Sequence, residues 1–349
     1  MNDPKPAITH QMLKLIAEID EFKGEWRVFK GMSRDRLNRL RRTATIESVG
    51  SSTRIEGSQL SDRQVEELLS RIEIKSFRNR DEEEVAGYAA AMDLVFDAWE
   101  DLRPGENQLK QLHCVLLQYS SKDERHRGEY KTLPNHIAAF DAQGREVGIV
   151  FQTTTPFETP HEMERLLSWH TAAEKDGQLH PLLVVGIFAV WFLAIHPFQD
   201  GNGRLSRIIT TLLLLRSGYS YVPYSSLESI IEENKELYYK ALRQTQQSLR
   251  EKSPDWEPWL VFFLRCLARQ KGALLRKMEA EQLQLERLSP LAALLVGLFD
   301  TNDSLALAQM VKLTGANRNT IKARLAELTE RMLLIRHGKG RGVYYTRRG

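Results

Sequence analysis

The sequence predicts a mostly α-helical protein with one β-hairpin in its middle and a small helix-turn-helix unit with two strands at its C-terminal end. Three observations lead there. The periodic stretches are rich in Glu, Leu, Lys, Arg and Ala, and few segments alternate as strands do. One pair of short apolar runs, Ile137 to Phe140 and Val147 to Phe151, brackets Asp141-Ala142-Gln143-Gly144, which is good turn chemistry. After Ser289-Pro290 two short helical patterns flank Thr314-Gly315-Ala316, and two strand-like runs follow.

Composition sets the frame. The 349 residues suffice for two or three domains, and an apolar fraction of 42% allows a large core. A net charge of +3 does not by itself call for nucleic acid or membrane. The basic excess is local: Pro290 to Gly349 holds ten Lys or Arg against four Asp or Glu. Cys114 and Cys266 lie far apart on apolar helical patterns and read as two buried thiols rather than a disulfide. The start, MNDPKPAITH, has no apolar h-region, and the longest apolar run, Leu182 to Ile195, is too short to span a bilayer. The expectation is a cytoplasmic protein with no membrane partner.

The elements follow in order. Ser61-Asp62-Arg63-Gln64 resembles a capping box, and Val65, Leu68 and Leu69 form the stripe of the helix it opens. Pro104-Gly105 breaks the pattern, and a helix is expected from Asn107 to Tyr119. The hairpin comes next, is ended by Pro156 and Pro160, and yields to a helix near His161. Leu182 to Ile195 reads as a buried helix, and residues 196 to 201 form a short loop before another apolar helix. The domain expectation is 1–105, 106–288 and 289–349, with Ser289-Pro290 as the last boundary.

That loop carries the chemistry. His196-Pro197-Phe198-Gln199-Asp200-Gly201-Asn202-Gly203-Arg204 joins two apolar helices. His196 is titratable and ends a helix whose dipole favours its protonated form. A working base must be neutral, so burial has to offset the dipole. Asp200 is an oxygen ligand suited to Mg²⁺. Gly201, Asn202 and Gly203 open the next helix, where backbone N–H groups and the dipole make an anion site. Arg204 and Arg207 are three apart and share one side of that helix, so two guanidinium forks stand beside the glycine-rich start. The set reads as a polyphosphate site with a metal ligand and an adjacent base. The plainer alternative is a glycine-rich connector with a solvated Arg pair.

The nonapeptide HPFQDGNGR is similar at every position to the Fic signature, HPFx[D/E]GNGR, and Arg207 matches the second arginine that follows it. The resemblance covers about residues 45 to 265 and implies a Fic helical core with a β-hairpin flap. It also implies that His196 takes the proton from a target protein's hydroxyl, Asp200 holds Mg²⁺, and Gly201, Asn202, Gly203 and Arg204 contact the phosphates of ATP. Arg207 positions the γ-phosphate, AMP is transferred and pyrophosphate leaves. NKELYYKAL, Asn234 to Leu242, resembles the Fic helix beside the adenine and ribose, which places Tyr238 and Tyr239 at the nucleotide; an aromatic pair in the core is the alternative.

The resemblance extends to both sides of the motif. The hairpin Ile137 to Thr154 corresponds to a flap that holds the target as an added strand. Phe151-Gln152-Thr153-Thr154-Thr155-Pro156 has a single proline where many relatives are proline-rich, which leaves the target open. Ser52-Thr53-Arg54-Ile55-Glu56-Gly57 matches the inhibitory motif [S/T]xxxE[G/N]. Ser52 and Glu56 are i and i+4 on a helix, and Gly57 can end it in a left-handed turn. The motif implies that Glu56 pairs with Arg207 and misplaces the γ-phosphate. The chain thus resembles N-terminally inhibited relatives.

At the C-terminal end Ser304 caps an expected helix Leu305 to Leu313, and a second runs from Asn317 to Arg331. Leu333 to Ile335 and Val343 to Tyr345 are strands around a basic glycine-rich wing, so the segment resembles a winged-helix domain. Arg318, Lys322 and Arg324, with Lys339 and Arg341 on the wing, are the candidate DNA contacts; a solvated or protein-binding face is the alternative.

The reading is an autoinhibited protein adenylyltransferase using ATP and Mg²⁺ on a protein hydroxyl, self-modification included, with a homodimer implied by the resemblance alone. Two others stand beside it. Glu56 could also direct water for AMP removal, or the winged helix could be the working part of a DNA-binding regulator with the core as nucleotide sensor. Phosphate transfer is disfavoured because GNGR is intact and not GNKR.

Overall fold

The computed structural model describes residues 4–28, 34–71, 77–140, 146–286 and 288–347. The chain divides into two compact units, Met1–Trp26 with Ala44–Lys271, and Arg27–Thr43 with Gly272–Gly349. The fold is mostly helical, as the composition requires.

Chain order begins with α1 (His10–Val28), α2 (Arg34–Ile55) and α3 (Asp62–Leu69). Ser61 caps α3 as a capping box with Gln64, so the local signal in S-D-R-Q suffices to start it. Asn79 accepts from Glu82 N–H and starts α4 (Arg80–Ala98). Gly105 precedes α5 (Glu106–Leu116), which ends earlier than the periodicity predicts. On α5 Leu109, Leu112, His113 and Leu116 take the inner face, so Cys114 is exposed, not buried as expected. Cys266 is buried, and both thiols are free.

The hairpin pairs β1 (Ile137–Phe140) with β2 (Glu146–Phe151) antiparallel. Its expected turn, Asp141 to Gly144, lies outside the described residues. α6 (Thr159–Asp176) follows and ends on left-handed Gly177. Pro181 opens α7 (Pro181–Ile195), in which every residue from Leu182 to Ile195 is buried. A helix apolar all round belongs inside a core, and α7 packs on α6 and on α8 (Asn202–Arg216). The loop from His196 to Gly201 therefore hangs between two largely buried helices. α9 (Leu227–Glu233), α10 (Lys235–Ser248) and α11 (Glu257–Glu286) complete this run. Trp259 Nε1 donates to the Gly186 carbonyl at 2.7 Å, tying α11 to α7.

In the second unit Ser289 caps α12 (Pro290–Gly297). Leu305 and Ala306 form a short strand, β3, before α13 (Leu307–Thr314), so the expected helix starts two residues late. The reason is pairing: Leu305 and Ala306 face Tyr345 and Tyr344, and a ladder partner outweighs local helical preference. Gly315 turns the chain into α14 (Arg318–Glu330), capped by Asn317. β4 (Leu334–His337) and β5 (Tyr344–Arg347) pair antiparallel, giving the sheet order β3-β5-β4. Ala292, Leu295, Phe299, Met310, Ile321 and Leu325 centre this unit's own core. Among the described residues no helix is long and apolar enough to cross a membrane.

Candidate functional site: a cation-rich cavity at the start of α8

His196 ends α7 in the left-handed region, φ 54° and ψ 59°, with its N–H still donated to the Phe192 carbonyl. Such a conformation costs a side-chain-bearing residue roughly 1 kcal/mol and needs a surrounding that fixes it. The loop supplies this. Asn135 Nδ2 donates to the carbonyls of His196 (3.3 Å) and Phe198 (2.6 Å), and Lys131 N–H donates to that of Pro197 at 2.8 Å. Asn202 brackets Phe198 from the other side, accepting from its N–H at 2.9 Å and donating to its carbonyl at 2.7 Å. The Asn202 side chain is thus consumed by the loop, and only its backbone remains for an anion.

Phe198 stacks on His113 with ring centroids 3.9 Å apart. Gly128 N–H donates to His113 Nδ1 at 2.8 Å, so the proton sits on Nε2, which donates to the Asp200 carbonyl at 3.0 Å. Burial pushes His113 down to about 4, so the ring stays neutral and keeps this tautomer. Gly201 sits beside it at φ 77°, and a Cβ there would press on Leu116 and the His113 ring. Position 201 therefore requires glycine for both conformation and space.

The balance at His196 is settled by burial. Burial first, then the nearby Lys131 cation, outweigh the Leu193 carbonyl, Glu56 and Asp200 and lower His196 to about 4. The dipole expectation is reversed because the last-turn carbonyl is the weaker influence. Nδ1 lies 3.3 Å from the Leu193 carbonyl, an acceptor only, so Nδ1 bears the proton and Nε2 holds the lone pair. Lys131 itself is buried and donates to Asn135 Oδ1 (2.8 Å), Ile195 O (3.0 Å) and Thr153 Oγ1 (3.1 Å), all neutral acceptors. Burial lowers it to about 8. Replacing this cation, Lys131→Met, should raise the His196 pKa by about one unit, because a lost like charge favours the protonated ring. An NMR titration of the imidazole reads this directly, and an unmoved midpoint would leave burial as the sole cause.

A cavity of about 300 Å³ opens over the loop, within the range of small-ligand sites. His196, Asp200, Gly201, Asn202, Gly203, Arg204, Tyr238, Tyr239 and Glu56 all line it. Arg204 is buried and lies 3.1 Å from a Glu84 oxygen and 3.3 Å from Asp200 Oδ1. Arg80 of α4 holds Asp200 Oδ2 at 2.8 Å and Glu84 at 2.6 Å. Burial would raise the Asp200 carboxyl, but Arg204, the Gly201 N–H and Arg80 hold it below the usual range. Tyr238 is buried against Trp259 and Tyr239 half-buried, so Tyr238 serves core and cavity wall together.

Arg207 points at α2. Its Nε donates to Ser52 Oγ at 2.8 Å, and its Nη2 donates to Ser52 O at 3.0 Å and Glu56 Oε1 at 2.8 Å. Burial pushes Glu56 up, but Arg207, with Arg204 and His196, outweighs it and keeps the carboxyl ionised. Gly57 (φ 112°) ends the helix as its sequence predicts. Gly203 makes the approach possible, since a Cβ there would collide with Glu56 Oε1. Three guanidinium nitrogens, Arg204 Nε, Arg204 Nη1 and Arg207 Nη1, are buried without a hydrogen-bond partner among the described residues. The Glu84 contact to Arg204 is close enough for charge attraction but is not aligned as a hydrogen bond. Buried donors left unmade in this number ask for an anion.

Comparison with known proteins agrees with this architecture. The model of the Fic/DOC family matches residues 102–214. The protein adenylyltransferase Fic of Culex quinquefasciatus is 25% identical over 236 residues, 67% of this chain and 42% of that protein. That of Drosophila grimshawi is 24% identical over 232 residues, 66% and 43%. Residues 102–214 are thus a Fic domain. The chain spans about two fifths of the length of these curated relatives. A Fic family protein from Desulfovibrio desulfuricans shares the fold over 99% of both chains, with TM-score 0.64 and 23% identity. A Fic domain containing signaling protein from Bacteroides thetaiotaomicron does so over 77% of this chain and 97% of its own, with TM-score 0.60 and 22% identity.

Several residues of this site escape sequence reasoning. Arg80 and Glu84 stand in a charge run, R-D-E-E-E, that reads as a solvated helix start. His113, Lys131 and Asn135 have no motif around them. Their i, i+4 spacings (80 and 84, 131 and 135) are the only signals, and these are common. The candidate nucleic-acid residues lie in the second unit: Arg318 and Lys322 are exposed on one face of α14, and Lys339 is exposed. Arg324 is tied to Glu327 at 2.7 Å, and the Arg341 side chain lies outside the described residues.

Proposed function

We propose that this chain transfers AMP from ATP to a hydroxyl side chain of a target protein, and that Glu56 holds the activity off. The buried guanidinium nitrogens beside the N-terminus of α8 that lack a hydrogen-bond partner among the described residues carry this reading, because such donors suit the oxygens of a polyphosphate. The relatives' name, protein adenylyltransferase, supports it. His196 Nε2 takes the hydroxyl proton. The hydroxyl oxygen bonds to the α-phosphorus, and the bond from that phosphorus to the bridging oxygen breaks to release pyrophosphate. Arg204 and the backbone N–H groups that open α8 spread the growing charge, so positioning and electrostatics do most of the work.

A Mg²⁺ ion carried by phosphates needs only one or two protein carboxylates. Asp200 lines the cavity and keeps 34% of its side-chain surface, so it fits that role once Arg80 moves aside. Among the described residues no group of three His, Cys, Asp or Glu forms a cage for a metal alone. Bound there, the ion would neutralise phosphate charge. Glu56 competes for Arg207, the proposed γ-phosphate partner.

The test uses α-labelled ATP, Mg²⁺ and a lysate of the native host with wild type, Glu56→Gly and Glu56→Gly/His196→Ala. Strong labelling by the single variant, weak by wild type and none by the double variant is expected. No labelling by any version would end the catalytic reading.

A second function is proposed for the C-terminal unit, whose helices and three-stranded sheet fit a winged helix binding DNA. Arg318 and Lys322 have no ion pair among the described residues and sit one turn apart. Arg318→Glu/Lys322→Glu should weaken binding to a labelled duplex at least tenfold and flatten its salt dependence by about two counterions. Equal anisotropy curves for both proteins would remove the DNA reading.

A further inference from the structure

A second cavity, of about 160 Å³, lies beside the end of β2. Phe151 and Thr154 line it from the hairpin side, Trp191 from α7, and Gln246 with Arg250 from α10 and the turn after it. Trp191 and Gln246 are 5% and 3% exposed, and Trp191 Nε1 and Gln246 Nε2 have no hydrogen-bond partner among the described residues. Folded proteins leave few such donors, and here two belong to residues that line one small cavity.

The cavity neighbours the nucleotide site. Gln246 follows Leu242 by four residues of helix, a rise of about 6 Å, and Leu242 lines the first cavity. Same-face side chains of an extended strand recur every two residues, about 6.7 Å apart. Ala194, two residues before His196, lines the second cavity and its carbonyl accepts from Thr154 N–H at the end of the hairpin, so a segment laid on the hairpin with its hydroxyl at His196 would carry its next same-face side chain towards that cavity. Arg250 adds positive charge at the mouth, and Phe157, 95% exposed just past the hairpin, gives a partner apolar surface to cover.

We propose that this cavity is a side-chain subsite for the protein target, taking an Asp or Glu carboxylate two residues from the modified hydroxyl. Trp191 Nε1 and Gln246 Nε2 donate to the carboxylate, and Arg250 supplies charge. The inference rests on the AMP-transfer reading and narrows its substrate class.

The experiment uses the full chain carrying Glu56→Gly, α-labelled ATP and Mg²⁺. The probes are alanine-based peptides with a central Thr, Ser or Tyr and with Glu, Gln or Ala at the position two before or two after it. Labelling of Glu peptides should exceed that of Ala peptides about tenfold, the worth of a hydrogen bond to a charged group. Trp191→Phe, which keeps the ring but loses the N–H, and Gln246→Leu should each bring the ratio towards one. Sites labelled on the protein itself are scored by the same flanking rule. Equal labelling of Glu and Ala peptides, or a preference that survives both substitutions, overturns the subsite and leaves only water there. A Glu56→Gly protein that labels neither peptides, itself nor any protein of the host lysate overturns the transfer reading beneath it.

Discussion

Glu56→Gly is expected to raise the initial rate of AMP transfer about 10- to 100-fold, the range spanned by one hydrogen bond to a charged group. The contact it removes is the 2.8 Å bond from Arg207 Nη2 to Glu56 Oε1. The rest of α2 stays anchored. Ser52 keeps both bonds to Arg207, and Arg54 keeps its two-pronged pairing with Glu232 at 2.7 and 2.9 Å. The substitution therefore acts on the cavity rather than on folding. Glu56→Gln, which keeps size and loses charge, should fall between. Because Glu56 is held ionised, mild acid should not mimic the release. Label incorporation at saturating ATP checks this, and equal rates for wild type and Glu56→Gly would sink the idea of autoinhibition.

His196→Ala in the released background is expected to lower the rate about 10²- to 10⁴-fold, the usual worth of a positioned general base. ATP binding, followed by calorimetry, should change little, since Arg204, Arg207 and the α8 start remain. The pH profile has a definite sign. A base works when neutral, and His196 is lowered to about 4, so its neutral form already dominates at pH 6. The rate should climb as pH rises through about 4 and be flat from about 6 to 7.5. A rate still climbing tenfold per unit near neutrality would assign the proton transfer to another group.

What could be read from the sequence was what lies contiguous in it. The nonapeptide puts base, carboxylate, glycines and arginine on one loop and one helix start, so its residue types alone outline the site. The Ser52–Gly57 segment was legible because i, i+4 geometry and a glycine stop are local facts. The partners of these groups were not legible. Arg80 reaches Asp200 across 120 residues of sequence, and Lys131 reaches Ile195 across 64. The His196 pKa shows the same limit: the dipole belongs to the helix and can be read, whereas burial belongs to the fold. β3 fails for a related reason, since its partner β5 lies some 40 residues on.

Gly203 has a genetic consequence. The missing Cβ is what lets Glu56 reach the α8 start, and in the proposed reaction the same bare backbone faces a phosphate. A side chain at position 203 would displace the carboxylate and, in the proposed reaction, crowd the nucleotide as well, so a dead protein rather than a hyperactive one is expected. A selection for unrestrained variants should therefore recover changes in the Ser52–Gly57 segment and none at Gly203, so that the two halves of one contact evolve under opposite constraints.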